Sequence, residues 1–385
     1  MDDLLLALNV GSSSLKAAVY RLHDMERPLF RYSVELGKGI CHSSGAVPPA
    51  LCELQSVEPL EDMVARLVSQ AAMPGQRVCA LVHRVVHGGH QRHPQMVTDK
   101  LLQELEKLES LCPLHQPLAL ELVHYLRQLW PELTQVMVFD TAFHQSQPDM
   151  ARTYALPLPL RQQAILAGGF HGISCQHVLR QLRREHPALA SARLLVAHLG
   201  QGASISAIHH GESVACSMGF STLDGLPMGT RCGELDPGVL LWLLEQGWSK
   251  SRLTDLLYHQ SGLLGLSGES ADMRVLLTSH SEAAAFAVDY FCYRAARMVA
   301  SLACALQGMD AIVFTGGIGE HQPRIREKIC RQLQWMGVEI DSAANLVGHG
   351  AISSAASQCR LLVVMADEEH EMCLQVQPLL RSVAG

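Results

Sequence analysis

The sequence predicts an α/β protein made of two duplicated domains, and three observations predict it. First, an apolar run, a small-residue turn and a second apolar run occupy residues 5–19, and the same pattern returns at 195–208. Both read as strand–tight turn–strand hairpins, half a chain apart, so each opens a half that the other repeats. Second, short apolar runs that end at polar residues or glycine (78–86, 136–139, 311–315 and 360–365) read as buried strands. Third, helical periodicity is clear at 100–110, 118–129, 174–185, 239–246 and 283–307, with Gly308 placed to stop the last helix. Strands alternating with helices define the class. The duplication implies two halves facing each other across a cleft.

Composition sets outer bounds. A chain of 385 residues is natural for two domains, and 48% hydrophobic with 17% charged residues supplies two cores. The net charge of −7 argues against a duplex nucleic-acid surface. The acidic start lacks the basic segment of a signal peptide, and no run of 18 apolar residues occurs, so neither a leader nor a membrane span is expected. The 12 cysteines never come closer than 11 positions, which excludes paired zinc or redox motifs and suits a reduced, cytoplasmic enzyme.

Chemistry-bearing residues sit at the ends of the expected strands. Asn9-Val-Gly-Ser-Ser-Ser-Leu-Lys16 joins a turn glycine, hydroxyls and a cation, and such a turn can cradle phosphate oxygens. An ordinary polar hairpin turn is the plainer alternative. Arg84 stands inside an apolar strand, where it is costly unless paired or functional. His83, His87, His90 and His93 crowd the same stretch, but the segment does not read as a helix, and 20 histidines make chance clusters common, so no metal site is expected there. Asp140 ends a buried strand, a place suited to a catalytic or metal-linked carboxylate or to a helix cap. His171 lies in Gly168-Gly-Phe-His-Gly172, Arg231 ends a loop of a dozen residues, and Thr315-Gly-Gly-Ile-Gly-Glu320 is a strand–Gly loop–helix junction suited to a nucleotide. Asp367-Glu-Glu369 follows the last strand.

Each motif is ambiguous alone, but their order is not. Asn9-x-Gly-Ser-Ser-Ser, His83-Arg-Val-Val-His-Gly-Gly89, Pro113-Leu-His115, Phe139-Asp-Thr-Ala-Phe-His-Gln145, Phe170-His-Gly172, His198-Leu-Gly200, Met228-Gly-Thr-Arg231, Ser261-Gly-Leu-Leu-Gly265, Asp272-Met-Arg274, Thr315-Gly-Gly-Ile-Gly-Glu320 and Asp367-Glu-Glu369 together resemble the acetate and propionate kinase family. The resemblance runs collinearly from residue 5 to about 372.

That resemblance implies two duplicated actin/Hsp70-like (ribonuclease H-like) domains with an interdomain ATP cleft. Residues 1–143, with 371–385 packing back, would form the N-terminal domain, and 144–370 the nucleotide-binding and dimerisation domain. It implies reversible transfer of the ATP γ-phosphoryl to acetate or propionate, with Mg2+ or its substitute Mn2+, in a homodimer without nucleic-acid or membrane partners. Arg84 and Arg231 would bind the carboxylate and the moving phosphoryl, with Asp140 and His171 as the other catalytic groups. Asn9, Asp140 and Glu368 would serve the metal. Val86, Leu114, Phe170 and Thr222 would line the acyl pocket. Asn9, Ser12, Lys16, His198, Gly200, Gln201 and Gly202 would lie near the phosphates, and Asp272, Met273, Arg274, Gly316, Gly317, Ile318, Gly319 and His321 would hold adenine and ribose.

Several positions depart from the family pattern: Gln201 for Asn, Cys175 for His, Thr222 for Pro, Gln116 for Asn and His321 for Asn. They bear on rate and substrate preference rather than on reaction class. A rival reading is a degenerate member that binds nucleotide without efficient turnover. A second is another enzyme of the same fold, such as a sugar kinase, which would lack the two-arginine clamp.

Overall fold

The computed structural model describes residues 2–11, 14–36, 40–48, 51 and 58–384. The chain divides into two compact units. The first comprises Met1–Gln145, Gly172–Ser174 and Asp367–Gly385, and the second Ser146–His171 and Cys175–Ala366.

The first unit opens with the expected hairpin, β1 (Asp2–Val10) and β2 (Ser14–Arg21), followed by β3 (Phe30–Glu35) and β4 (Ile40–Gly45). Then come α1 (Leu60–Gln70), β5 (Gln76–Val85), the short β6 (Gln95–Met96), α2 (Asp99–Glu106), α3 (Gln116–Leu129) and β7 (Thr134–Phe139). The sheet order is β4-β3-β2-β1-β5-β7-β6. β1 is antiparallel to β2 and parallel to β5, so it is the central strand and is covered on both faces. Its side chains alternate accordingly. Leu4, Leu6 and Leu8 join Met63, Val64 and Leu67 of α1 in one core, and Leu5 and Ala7 join Val136, Val138, Met372 and Val376 in the other.

The second unit begins with two short helices, α4 (Asp149–Arg152) and α5 (Leu158–Arg161), and then α6 (Gly172–Glu185), whose first three residues group with the first unit. The second hairpin follows as β8 (Leu194–Leu199) and β9 (Ala203–His209), extended by β10 (Glu212–Cys216). A helical stretch comprises α7 (Pro237–Glu245), α8 (Lys250–Asp255), α9 (Gly262–Ser267), α10 (Met273–Thr278) and α11 (Glu282–Leu306). Last come β11 (Ala311–Thr315), α12 (Gly316–His321), α13 (Pro323–Gln332), α14 (Ser342–Val347), β12 (Gly350–Ala351) and β13 (Arg360–Val363). α15 (Glu368–Ala384) returns to the first unit. The sheet order here is β10-β9-β8-β11-β13-β12. The plan of the first sheet is therefore repeated: an antiparallel meander, two parallel strands, and a two-residue antiparallel strand at the far edge.

Two local expectations change. α11 does not stop at Gly308 alone, because Gln307 takes the left-handed conformation at φ 56° and its N–H bonds back to Ala303 and Cys304. Gly316-Gly-Ile-Gly is not a loop but the helical turn of α12. On β9, residues Ala203–Ile208 are buried, whereas Leu241, Trp242 and Leu244 of α7 and Phe286 and Tyr293 of α11 are among the exposed large apolar side chains of the second unit.

Candidate active site

In the first unit the sequence-predicted residues Asn9, Arg84, Asp140 and Glu368 form one network. β5 and β7 are parallel with Val85 opposite Phe139, which carries Arg84 and Asp140 to the same end of adjacent strands. Arg84 Nη2 donates to Asp140 Oδ2 at 2.6 Å, and Nε donates to both Asp140 oxygens at 3.2 and 3.3 Å. Arg84 Nη1 donates to Asn9 Oδ1 at 3.0 Å and lies 3.5 Å from Glu368 Oε2. Asn9 Nδ2 in turn donates to Glu368 Oε2 at 2.8 Å and to Glu369 Oε1 at 2.7 Å. The costly strand arginine is thus paired with buried acids.

Electrostatics follow from that burial. Desolvation pushes Asp140 up to about 6, with Arg84 pulling it down and Glu368 pushing it further up. Burial also raises Glu369, against the pull of Lys16. Burial opposes the charge on Arg84, but Asp140 and Glu368 more than offset it, so its pKa is raised. Arg31, outside the sequence-predicted set, donates to Asp367 Oδ1 at 3.0 Å and lies 3.7 Å from Glu369 Oε2. Asp367 Oδ1 also accepts from His370 N–H, so one carboxylate caps α15 and ties its start to β3. Among the described residues, no three His, Cys, Asp or Glu side chains could hold a metal directly. Hard oxygen donors in a net acidic cluster do fit a Mg2+ ion bound through water.

The histidine-rich stretch is structural where its bonds are seen. His83 Nε2 lies 2.9 Å from Gln135 Oε1, and burial lowers its pKa to about 4. Gln116, the Asn replacement, is fully buried: its Oε1 accepts from His87 N–H and its Nε2 donates to His87 O, both at 3.0 Å. A Cβ on Gly88 would lie 2.5 Å from the Phe139 ring, so glycine is required there. Lys16 is exposed and faces Asn9 across the hairpin, whereas Ser12 lies outside the described residues. Val86 is buried, and Leu114 is half-buried.

The second unit brings together His171, His198, Gly202 and Arg231. His171 precedes α6 with φ 60°, a left-handed conformation uncommon outside glycine. Its ring stacks on His198 at 4.3 Å, and its Nδ1 lies 2.8 Å from Ser204 Oγ. Ser204 faces His198 across the β8–β9 pair, so hairpin register sets both contacts. A Cβ on Gly202 would lie 3.0 Å from Arg231 Nη2 and 3.1 Å from His171 Nε2. Both nitrogens thus border the point that this glycine leaves vacant. Arg231 Nη1 donates to Thr222 O at 2.8 Å, which ties the ends of the long loop together. Phe170 and Thr222 are buried, and the Thr222 hydroxyl has no hydrogen-bond partner among the described residues. Cys175 is buried in α6, and Gln201 is exposed at the hairpin turn.

Farther along, the Gly316–Gly319 turn is braced at both ends by residues that sequence reasoning missed. Glu320 Oε1 accepts from Gly316 N–H at 2.7 Å and from Ala366 N–H at 2.8 Å. Arg326, wholly buried, donates through Nη1 to the carbonyls of Gly319 and Glu320 at 2.7 and 2.8 Å. Gly317 has nothing within 4 Å of a built Cβ, so its face is open. His321 is exposed, 3.8 Å from Glu320 Oε2. Asp272 caps α10 by accepting from Arg274 N–H at 2.8 Å and pairs with the Arg274 guanidinium at 2.6 Å, while Met273 is buried. Nothing in the sequence around Arg31 or Arg326 identifies the partners that the fold gives them.

Comparison with known proteins places this geometry. The acetokinase family model matches residues 4–374. An acetate kinase of Methylocella silvestris is 40% identical over 403 residues, covering 100% of both chains. One of Rhodopseudomonas palustris is 42% identical and covers 96% of each chain. Among solved structures, a propionate kinase from Francisella tularensis superposes with a TM-score of 0.86 at 34% identity, covering 97% of this chain and 98% of that one. The acetate kinase of Porphyromonas gingivalis gives 0.80 at 32% identity, covering 98% and 100%. The two sheets match these structures of the actin/Hsp70-like fold.

Proposed function

The chain belongs to the acetokinase family, and on that premise we propose that this carboxylate kinase moves the γ-phosphoryl of ATP reversibly to acetate or propionate in a Mg2+-dependent reaction. The observation that carries the reading is the pair of donors, His171 Nε2 and Arg231 Nη2, that border one point beside Gly202. A phosphoryl group in flight spreads charge over three oxygens, and positioned cations and donors supply most of the rate effect.

In this reading a carboxylate oxygen attacks the γ-phosphorus as the bond to ADP breaks. Arg84 and Arg231 neutralise the carboxylate and the phosphoryl oxygens, and His171 donates to one of the latter. Asp140 and Glu368, with Asn9, would hold Mg2+, which when bound would neutralise charge on the phosphates; Mn2+ would substitute. Asn9, Lys16, His198, Gly200, Gln201 and Gly202 serve the phosphates. Asp272, Met273, Arg274, Gly316, Gly317, Ile318, Gly319 and His321 serve adenine and ribose. Val86, Leu114, Phe170 and Thr222 contact the acyl group, and Thr222 leads us to expect propionate to be used at least as well as acetate.

The exposed apolar side chains of α7 and α11 support a homodimer. A monomeric mass by light scattering across concentrations would overturn that assignment. A cytoplasmic setting belongs to the same reading, and none of the 11 described cysteines is in a disulfide. Among the described residues no helix is long and apolar enough to cross a membrane.

The decisive assay offers short carboxylates and sugars as acceptors, with ADP release coupled to a dye and acyl phosphate trapped by hydroxylamine. Acyl phosphate from acetate and propionate only, with ADP in equal amount, is the expected result. Nucleotide binding without product would favour the degenerate reading.

A further inference from the structure

We infer that Ser204 is a positioning residue that fixes the tautomer of His171, so that the neutral imidazole presents an Nε2–H donor. The inference rests on the phosphoryl-transfer reading above and assigns a role to a residue outside the site set described so far.

Ser204 is the second residue of β9 and is 1% exposed. Its Oγ lies 2.8 Å from His171 Nδ1. Two proton arrangements fit that distance. In the first, His171 Nδ1–H donates to Oγ, and the serine hydrogen must find another acceptor inside the sheet. The His171 ring is the one hydrogen-bond partner of the Ser204 hydroxyl among the described residues. That arrangement therefore strands a buried donor, which is strongly disfavoured. In the second, the hydroxyl donates to Nδ1 and nothing buried is left unmatched. The proton of the neutral ring then resides on Nε2.

The rest of the geometry uses that proton. Nε2 and Arg231 Nη2 lie 3.1 and 3.0 Å from the point where a Cβ on Gly202 would stand. An Nε2 lone pair would repel an anion there, whereas Nε2–H attracts it. The His198 ring, stacked at 4.3 Å, limits rotation of the imidazole. The left-handed backbone of His171, at φ 60°, is a conformation that persists where surrounding contacts hold it. Hairpin register supplies all three parts: Gly202 at the turn, and Ser204 opposite His198. His171 then needs no added proton to act, so the serine works as a lock on the donor and not as a step in proton transfer.

The test uses the full-length protein labelled with 15N-histidine, without ligand, together with the Ser204→Ala and Ser204→Thr variants. His171→Gln identifies the His171 resonances by their loss. In the wild type at neutral pH, Nε2 should show the shift of a protonated ring nitrogen and Nδ1 that of an unprotonated one. Ser204→Ala should move this pattern toward a tautomer mixture. Its kcat should fall by roughly 10-fold, with both KM values within about 2-fold, as expected for a donor that acts mainly in the transition state. Ser204→Thr keeps the hydroxyl and should recover most of kcat. A wild-type spectrum with the proton on Nδ1 overturns the inference whether or not any variant folds. So does a Ser204→Ala variant with an unchanged tautomer, or one with unchanged kcat in an active enzyme. A wild type that transfers no phosphoryl group to any carboxylate sinks the functional reading instead, while the spectrum still decides the orientation of Ser204.

Discussion

In the first unit Arg84 rises from a core strand and is gripped by Asp140 and by the Asn9–Glu368 pair. In the second, Arg231 ends a loop, and a backbone carbonyl in the same loop fixes it. The sheets that carry these residues follow one plan, so the contrast does not come from topology. It comes from what surrounds each arginine. The first unit ties its charged groups into the same interior that folds it. The second presents its donors from a hairpin turn and from the end of a long loop, where Arg231 is itself buried. Folding and chemistry should therefore be hard to separate by mutation in one unit and easier in the other.

The arginines break or make that comparison first. Arg84→Ala and Arg231→Ala should each lower kcat by at least ~10²-fold, because each removes a charge partner of the transition state. Thermal melts should then separate them. Arg84→Ala strands the buried Asp140 and Glu368 and should cost roughly 3 kcal/mol, as for breaking a buried ion pair. Arg231→Ala removes a bond to a carbonyl and should cost about 1 kcal/mol. Equal losses of stability would erase the proposed difference, and near-normal kcat in both would remove the clamp.

Two glycines sharpen it. A Cβ on Gly202 would press on the ends of two side chains, at 3.0 and 3.1 Å. Gly202→Ala should keep the melting temperature nearly intact and lower kcat by roughly 10-fold, since a small misplacement of a donor is costly to rate. A Cβ on Gly88 would meet the Phe139 ring at 2.5 Å. Gly88→Ala should instead destabilise the fold by about 1–3 kcal/mol through overpacking. Melts and steady-state kinetics on both variants check this.

The same contrast explains what the sequence disclosed. The hairpins were legible because a small-residue turn between apolar runs has few other meanings, and both recur in the structure as β1–β2 and β8–β9. The acetokinase motifs were legible because their order is specific. The partners of those motif residues were not. Glu369 is one of three acids past the last strand, and its burial against Asn9 is closed by residues 360 positions apart. Arg326 fell within a polar helical pattern, yet it is wholly buried against carbonyls. Ser204 looked like any serine in an alternating strand. Contacts between separate elements decide all three, from 6 residues apart for Arg326 and Glu320 to 360 for Asn9 and Glu369, and the pattern within one element carries no record of them. Gly316–Gly319 read as a loop because glycine weakens helices, but the carboxylate of Glu320 and the guanidinium of Arg326 hold the turn from outside.

Acid–base behaviour offers a third and smaller test, confined to the first unit. Asp140 is raised from 3.8 to about 6, chiefly by burial. The folded protein therefore binds this proton more tightly than the unfolded chain does. The linked contribution favours folding below pH 4 and is lost as pH rises toward 6. Without metal, unfolding free energy should carry a term on the order of 3 kcal/mol that falls across that window. Asp140→Asn should flatten it, as measured by denaturant melts at several pH values. Added Mg2+ should oppose the fall if Asp140 and Glu368 hold it, because a cation favours the ionised form. A wild-type profile indistinguishable from that of Asp140→Asn would refute the assignment.

The smallest expected effect lies in the acyl-contact residues, where the units differ again. Val86 and Leu114 of the first are plain apolar choices. In the second, Phe170 is joined by Thr222, whose hydroxyl is buried without a partner. An unsatisfied buried hydroxyl contributes nothing to stability, so Thr222→Val should leave the melting temperature unchanged or raise it. The carbonyl that accepts from Arg231 belongs to the backbone and survives the change. Any shift in substrate preference must then come from the pocket surface rather than from the clamp. One methylene in an apolar pocket is worth about 1–3 kcal/mol, and an inward polar atom works against the longer acid. Thr222→Val should therefore raise the propionate-to-acetate ratio of kcat/KM by up to about 10-fold. Thr222→Pro restores the ring common in the family and takes up the extra room, so it should lower the ratio by a similar factor. The hydroxyl and the volume thus pull in opposite directions, and the two variants separate them. If neither substitution moves the ratio beyond about 2-fold while both keep kcat, Thr222 does not touch the acyl group and the pocket assignment fails.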